Sequence, residues 1–199
     1  MDIELPDPIR RADPGDWRKL ADITAEAFAE DPVNNWLFGS QAAIRASFRA
    51  LARDIYIREG FCHLAGDDGA TMWLGPGQSG DMGAIATARF ALAQLIHGSI
   101  GGLKRAMHAG EIMADHHPRE PHCYLFTIGT RQSARGKGLG KTLLAPVLQA
   151  CDAQAIPCYL ENSNPDNHGF YAHHGFARKE IFACGEGGPP LEAMWREPQ

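Results

Sequence analysis

The chain has 199 residues and a formal net charge of −5, with 44% apolar and 22% charged residues. That suits a single domain over 1–199 with one sizeable core and argues against a nucleic-acid binder, since no Lys/Arg-rich run offsets the acidic balance. No apolar run is long enough to span a bilayer, and Asp2, Glu4, Pro6 and Asp7 lack the order of a secretory leader. The five cysteines (Cys62, Cys123, Cys151, Cys158, Cys184) show no C-x-x-C pair and read as reduced core thiols of a cytoplasmic protein.

In chain order, Pro8 to Ala12 reads as a short strand. Asp13-Pro14 starts a helix, carried by Trp17, Leu20, Ala21, Thr24, Ala27 and Phe28 up to a stop at Asp31-Pro32. Residues 33–38, including Trp36 and Phe38, read as an aromatic connection. Ile44, Phe48, Leu51 and Ile55 form a second amphipathic helix ended by Gly60. Phe61 to Ala65 and Thr71 to Leu74 flank a hairpin turn at residues 66–69, followed by a loop over 75–80. From Met82 to Asp115 the pattern gives two helices broken near Gly98 to Gly102; the segment either shapes a pocket or forms a homodimer interface. Two strands close the chain, over Ala177 to Cys184 and Leu191 to Trp195. The order is mixed α/β, with a mostly antiparallel sheet flanked by helices.

The most informative stretch is Cys123 to Leu144. Residues 123–128 are apolar enough for a central strand buried on both faces, and Leu139, Leu143, Leu144, Val147, Leu148 and Cys151 give the following helix one apolar face. Between them lies Arg135-Gly136-Lys137-Gly138-Leu139-Gly140. Alternating glycines let the backbone approach a ligand, the helix N-terminus adds partial positive charge, and Arg135, Lys137 and Lys141 add full charges. The turn reads as a pyrophosphate cradle. A P-loop fails because Arg135 stands where its first Gly belongs, and a dinucleotide fingerprint fails because its last gap is one residue short. The plainer alternative is a flexible glycine turn with no ligand.

The run 135–140 matches the cofactor motif Q/R-x-x-G-x-G/A of the GNAT superfamily of N-acetyltransferases, and the chain resembles that family well beyond it. Residues 158–165, then Phe170-Tyr171 and Gly175-Phe176, look like the family's fifth strand, its next helix and a Y-x-x-x-G-F signature. Residues 189–196 and Pro146 inside the cofactor helix are similar to a bacterial subgroup around puromycin N-acetyltransferase.

The resemblance implies the GNAT acyl-CoA N-acyltransferase fold and acetyl-CoA as co-substrate. It implies a strand that splays near Thr127, Ile128 and Gly129, presenting a backbone N–H, that of Ile128, to the thioester oxygen. It places Asn164 and Asn167 on the pantetheine arm, although both also suit helix capping and turn formation. It makes Tyr171 the general acid, suitable because a phenol with pKa near 10 stays protonated at neutral pH. Glu161, the lone carboxylate of an apolar strand, is its general base; a solvated strand end or a group orienting a cationic substrate are the alternatives. The acceptor pocket would take Trp36 and Phe38, unless they merely close the core.

The nine histidines, including His116, His117, His122, His173 and His174, lack metal-ligand spacing and read as surface or loop residues, so no metal is expected. The expected activity is direct transfer of acetyl to a primary amine of a small molecule. A protein or peptide N-acetyltransferase and a non-catalytic CoA-binding sensor are the rivals. No membrane or nucleic-acid partner is expected.

Overall fold

The computed structural model describes residues 2–199. Its strands are β1 (Ile9–Arg11), β2 (Phe61–Ala65), β3 (Gly69–Leu74), β4 (Cys123–Thr130), β5 (Cys158–Asn162), β6 (Ala177–Ala183) and β7 (Pro190–Arg196). They form one sheet in the order β1-β2-β3-β4-β5-β7-β6, in which only β4 and β5 run parallel. The helices are α1 (Trp17–Ala27), α2 (Pro32–Phe38), α3 (Gln41–Leu51), α4 (Ala84–His97), α5 (Ile100–His116), α6 (Leu139–Ala153) and α7 (His168–His173).

Two expectations about the first hundred residues are corrected. The first helix stops at Ala27, and Pro32 opens a helix instead of closing one. Asp31 caps α2 by accepting from the Asn34 backbone N–H at 2.8 Å, and proline at the first helical position costs no hydrogen bond. Residues 33–38 are therefore helical. In addition, α3 runs into a π-helical turn at Ala52–Tyr56, which widens the backbone where Ile55 and Tyr56 meet a cavity.

Residues 82–115 become two helices as their pattern predicts, with the break at Gly98-Ser99. Gln94, fully buried, donates to Ala43 O (3.1 Å) and Ser47 Oγ (2.7 Å), which fixes α4 on α3. Arg105 on α5 donates to Trp36 O and Leu37 O, fixing α5 on α2. The outer face of α4 leaves Ile85, Leu92, Leu95 and Ile96 exposed. On the other side of the sheet, α6 buries Leu143, Leu144, Val147, Leu148 and Cys151, and it passes through Pro146 unbroken. Its far end is held by Arg196 on β7, only 4% exposed, whose guanidinium grips both oxygens of Asp152 at 2.6 and 2.8 Å. All five cysteines are buried. Among the described residues, no helix is long and apolar enough to cross a membrane.

Candidate active site

The site begins where β4 and β5 separate. They pair only at Cys123↔Cys158 and Tyr124↔Tyr159. Beyond that point β5 stays with β7 while β4 stays with β3, so the gap opens from Leu125 onward, earlier than Thr127. A bulge at Phe126 decides which backbone groups face the gap, because the β3 register steps from Met72↔Thr127 to Trp73↔Leu125. Cys123 N–H points toward β5, bonding Pro157 O at 2.9 Å, whereas Arg131 N–H points toward the β3 hairpin, bonding Asp68 O at 2.8 Å. Strict alternation would send both odd-numbered residues the same way; the extra residue reverses the parity. Thr127 and Gly129 therefore face β3, and Ile128 N–H faces the gap. Gly129 has a steric reason as well, since a Cβ there would lie 2.7 Å from Ala27 Cβ on α1.

On one side of the gap lies a cavity of about 590 Å³, lined by Ile128, Gly129, Arg135, Gly136, the 138–141 turn, Asn164 and Asn167. Gly136 and Gly138 both have φ of +76°, a conformation that L side chains rarely adopt, and a Cβ at either would project into open space. The first helical bond of α6 is Thr142 N–H to Gly138 O, so the N–H groups of Leu139, Gly140 and Lys141 precede it and have no partner within the helix. Arg135 Nη2 donates to Ala27 O at 3.0 Å, tying the turn to the end of α1. Asn164 Oδ1 accepts from Asp166 N–H, so this side chain serves the turn it was also expected to form. Asn167 lines both cavities. Lys137 is exposed and lines neither, which removes it from the cradle wall.

On the other side lies a second cavity, of about 500 Å³, walled by residues of α2–α5, β4, β5, α7 and β7. Phe28, Ile128 and Asn167 line both cavities and mark where they meet. Phe38 and Thr127 lie in this wall, and α5 closes it through Ala106, Ala109 and Met113. Trp36 does not reach it. That ring lies under the last turn of the chain, where a Cβ on Gly185 would come within 2.8 Å of it, so Trp36 is corrected to a packing residue.

Tyr171 and Glu161 both line the second cavity. The Tyr171 hydroxyl has no hydrogen-bond partner among the described residues, and burial, reinforced by the Asp31 carboxylate, pushes its pKa well above the ordinary phenol value. It is a protonated donor at any physiological pH. Asp31 is itself anchored, accepting from Ser163 Oγ at 2.5 Å and from Asn34. The short helix that carries Tyr171 is fastened from below by Glu192, which accepts from Asn162 Nδ2 and contacts His168 and Arg178. Burial alone would raise the Glu192 pKa, but these three hydrogen bonds hold it below the ordinary value.

The Glu161 side chain is 2% exposed, which rules out the solvated strand end. One of its oxygens, Oε1, has no hydrogen-bond partner among the described residues. Tyr56, Tyr124 and Tyr159 surround it, their phenol pKa values raised first by burial and then by the Glu161 charge. His117 and His122 also gather here, contrary to the expectation of loose surface histidines. His122 is buried and immediately precedes the buried strand, the one signal by which the sequence could have placed it.

Residues 98–176 match the model of the acetyltransferase (GNAT) family. An uncharacterized N-acetyltransferase of Schizosaccharomyces pombe is 28% identical over 209 residues, spanning 96% of this chain and 83% of that protein. The solved structure of histone acetyltransferase HPA2 and related acetyltransferase from Corynebacterium glutamicum aligns with a TM-score of 0.71 and 26% identity, covering 96% of each chain. The chain is an acetyltransferase of the GNAT fold. The same fold is seen at a TM-score of 0.54 and 15% identity in PaiA N-acetyltransferase from Thermoplasma acidophilum, solved in complex with coenzyme A, over 99% of each chain.

Proposed function

We propose that the protein moves an acetyl group from acetyl-CoA to the primary amine of a small molecule, by direct attack in a ternary complex. The observation that carries this is the junction itself: a backbone-lined polar cavity and an aromatic-walled cavity meet at the open edge of β4, with a free phenol beside them. The polar cavity fits a pyrophosphate. It offers free N–H groups at a helix N-terminus, two glycines held at positive φ, and the cationic side chains of Arg135 and Lys141. The coenzyme A seen in the PaiA structure belongs to the same fold and agrees with this reading.

When bound, the thioester supplies an acyl carbon activated toward amines. Ile128 N–H donates to its carbonyl oxygen, stabilising charge that grows as the amine attacks. Glu161 takes a proton from the amine as the C–N bond forms. Tyr171 gives its hydroxyl proton to the departing thiolate as the C–S bond breaks, and the phenolate regains a proton from water once the thiol has left. The second cavity suits a compact amine with an apolar body, since most of its wall is aromatic or aliphatic and its buried carboxylate can receive the cation. That apolar wall is what favours a small amine with an apolar body over the polar backbone of a peptide. The same reading places the enzyme in the cytoplasm, with all five cysteines as reduced core thiols.

A panel of 2-phenylethylamine, spermidine, L-lysine and short peptides, with free thiol release as the readout, tests the reading. Turnover confined to small amines supports it. Preference for peptides transfers the activity to the protein-directed class, and no release with any amine overturns the enzymatic reading.

A further inference from the structure

Glu161 has a problem that the proposed reaction does not solve. A carboxylate buried to 2% exposure that accepts the acceptor's proton must also be rid of it, and its own surroundings are phenols and apolar side chains. A route leads out beside the cavity, at the end of α5. His117 Nδ1 stands 3.5 Å from Glu161 Oε1 at the end of α5, and the His117 side chain is 33% exposed. Tyr124 and Tyr159 pack edge-on against its ring, with centroids at 4.9 and 5.0 Å. Its other nitrogen, Nε2, lies 3.1 Å from Nε2 of His122, whose Nδ1 lies 2.7 Å from Glu120 O.

The hydrogen-bond direction along this chain is set from its far end. A carbonyl oxygen only accepts, so His122 Nδ1 carries a proton. Burial lowers the His122 pKa and favours the neutral ring, which leaves its Nε2 as an acceptor. His117 Nε2 must then donate. In a neutral His117 the unprotonated nitrogen is then Nδ1, which stands 3.5 Å from Glu161 Oε1 without a hydrogen bond and can accept one when Glu161 holds a proton. A hydrogen bond between these two atoms needs one proton, which either can carry. The other titratable groups facing the pair are Tyr56, Tyr124 and Tyr159 on the cavity side, with Glu120, His116 and Glu180 at the solvent edge.

We infer that His117, oriented by His122, is a positioning residue that relays the acceptor amine's proton from Glu161 to solvent. The inference rests on the acetyltransferase reading above. The step balances without any further reactant. The amine nitrogen, cationic as its C–N bond forms, gives a proton to the Glu161 carboxylate, the carboxyl passes it to Nδ1 of the neutral His117, and the resulting imidazolium releases its Nδ1 proton to water at its exposed edge. One proton leaves per amine deprotonated, and the starting state returns.

Two measurements test it. Nitrogen-15 NMR of the histidine rings reads tautomers directly and needs no acceptor. The relay requires His122 as the Nδ1–H form, and an Nε2–H His122 overturns it. In turnover, with the amine that the intact protein acetylates fastest, His117→Ala should lower kcat about tenfold or more at neutral pH while KM for acetyl-CoA stays unchanged. Added imidazole should restore rate, and less basic azoles of the same size should restore less. Unchanged kcat, or equal rescue by bases of unequal strength, overturns the relay while leaving the acetyltransferase reading intact. An intact protein that acetylates no amine overturns both.

Discussion

The two cavities that meet at Ile128 are made from different materials. The polar one centres on the backbone of Arg135, Gly136 and residues 138–141 and the end of β4, and is completed by Ala27, Phe28, Glu30, Asp31 and residues at and around α7. Its glycines act through φ and its helix through free N–H groups, so the side chains beyond Arg135 and Lys141 matter little. The aromatic one is built of side chains gathered from eight elements that span most of the sequence. A backbone site depends little on side-chain identity; a side-chain site changes with every substitution in its wall. The contrast teaches which half of the reaction the fold itself dictates.

The sheet holds these halves in register, and its anchors should be the costliest to remove. Arg196→Ala removes the charged partner of Asp152, leaving it the Gln199 N–H alone among the described residues, and should destabilise the fold by about 2–3 kcal/mol, read as a fall in the midpoint of chemical denaturation. A loss below about 1 kcal/mol would mean that α6 is held by apolar packing alone.

Tyr171→Phe tests the junction. It should reduce kcat by about 10²–10³-fold with acetyl-CoA affinity intact, because it removes one proton donor and no binding group. Equal loss of kcat and cofactor affinity would instead make Tyr171 part of the polar cavity.

Acid conditions offer a control on any pH profile. His63 on β2 is buried without a partner for Nδ1, and desolvation, followed by repulsion from Arg11, lowers its pKa from 6.5 to about 4. Between those values the unfolded chain binds the extra proton, so folding stability is full above pH 6.5 and declines as pH falls toward 4. The decline should reach about 3 kcal/mol and be absent in His63→Gln, measured by denaturation at each pH. An unchanged slope in that variant assigns the acid sensitivity to other groups.

The smallest expected effect separates the two aromatic residues of α2. Phe38→Ala should raise KM for the acceptor about tenfold, the scale of one lost apolar contact, while Trp36→Ala should leave it unchanged. The reverse result would return Trp36 to the acceptor wall.

The same contrast explains what the sequence made legible. Arg135 to Leu144 could be read directly because helix termini and positive-φ glycines are local properties, and the strand–turn–helix order was plain from periodicity. Tyr171 and Glu161 were reachable only through resemblance, since nothing local tells a catalytic tyrosine from a packing one. Trp36 was misplaced because its position depends on Gly185, far along the chain. Asp31-Pro32 reads as a stop in the sequence because a proline that ends one helix and one that begins the next look alike without the cap. His117 and His122 carry no spacing signal. Their meaning arises only when the end of α5 comes down beside β4 and β5.

The central claim is that the glycine turn holds the pyrophosphate of acetyl-CoA, and calorimetric titration of the intact protein beside Gly138→Glu tests it most directly. At φ +76° the substitution strains the turn and sets a carboxylate where the phosphates would lie. Micromolar binding to the intact protein, with no detectable heat from the variant, is the predicted result. No binding to the intact protein, or equal binding to both, would contradict the account.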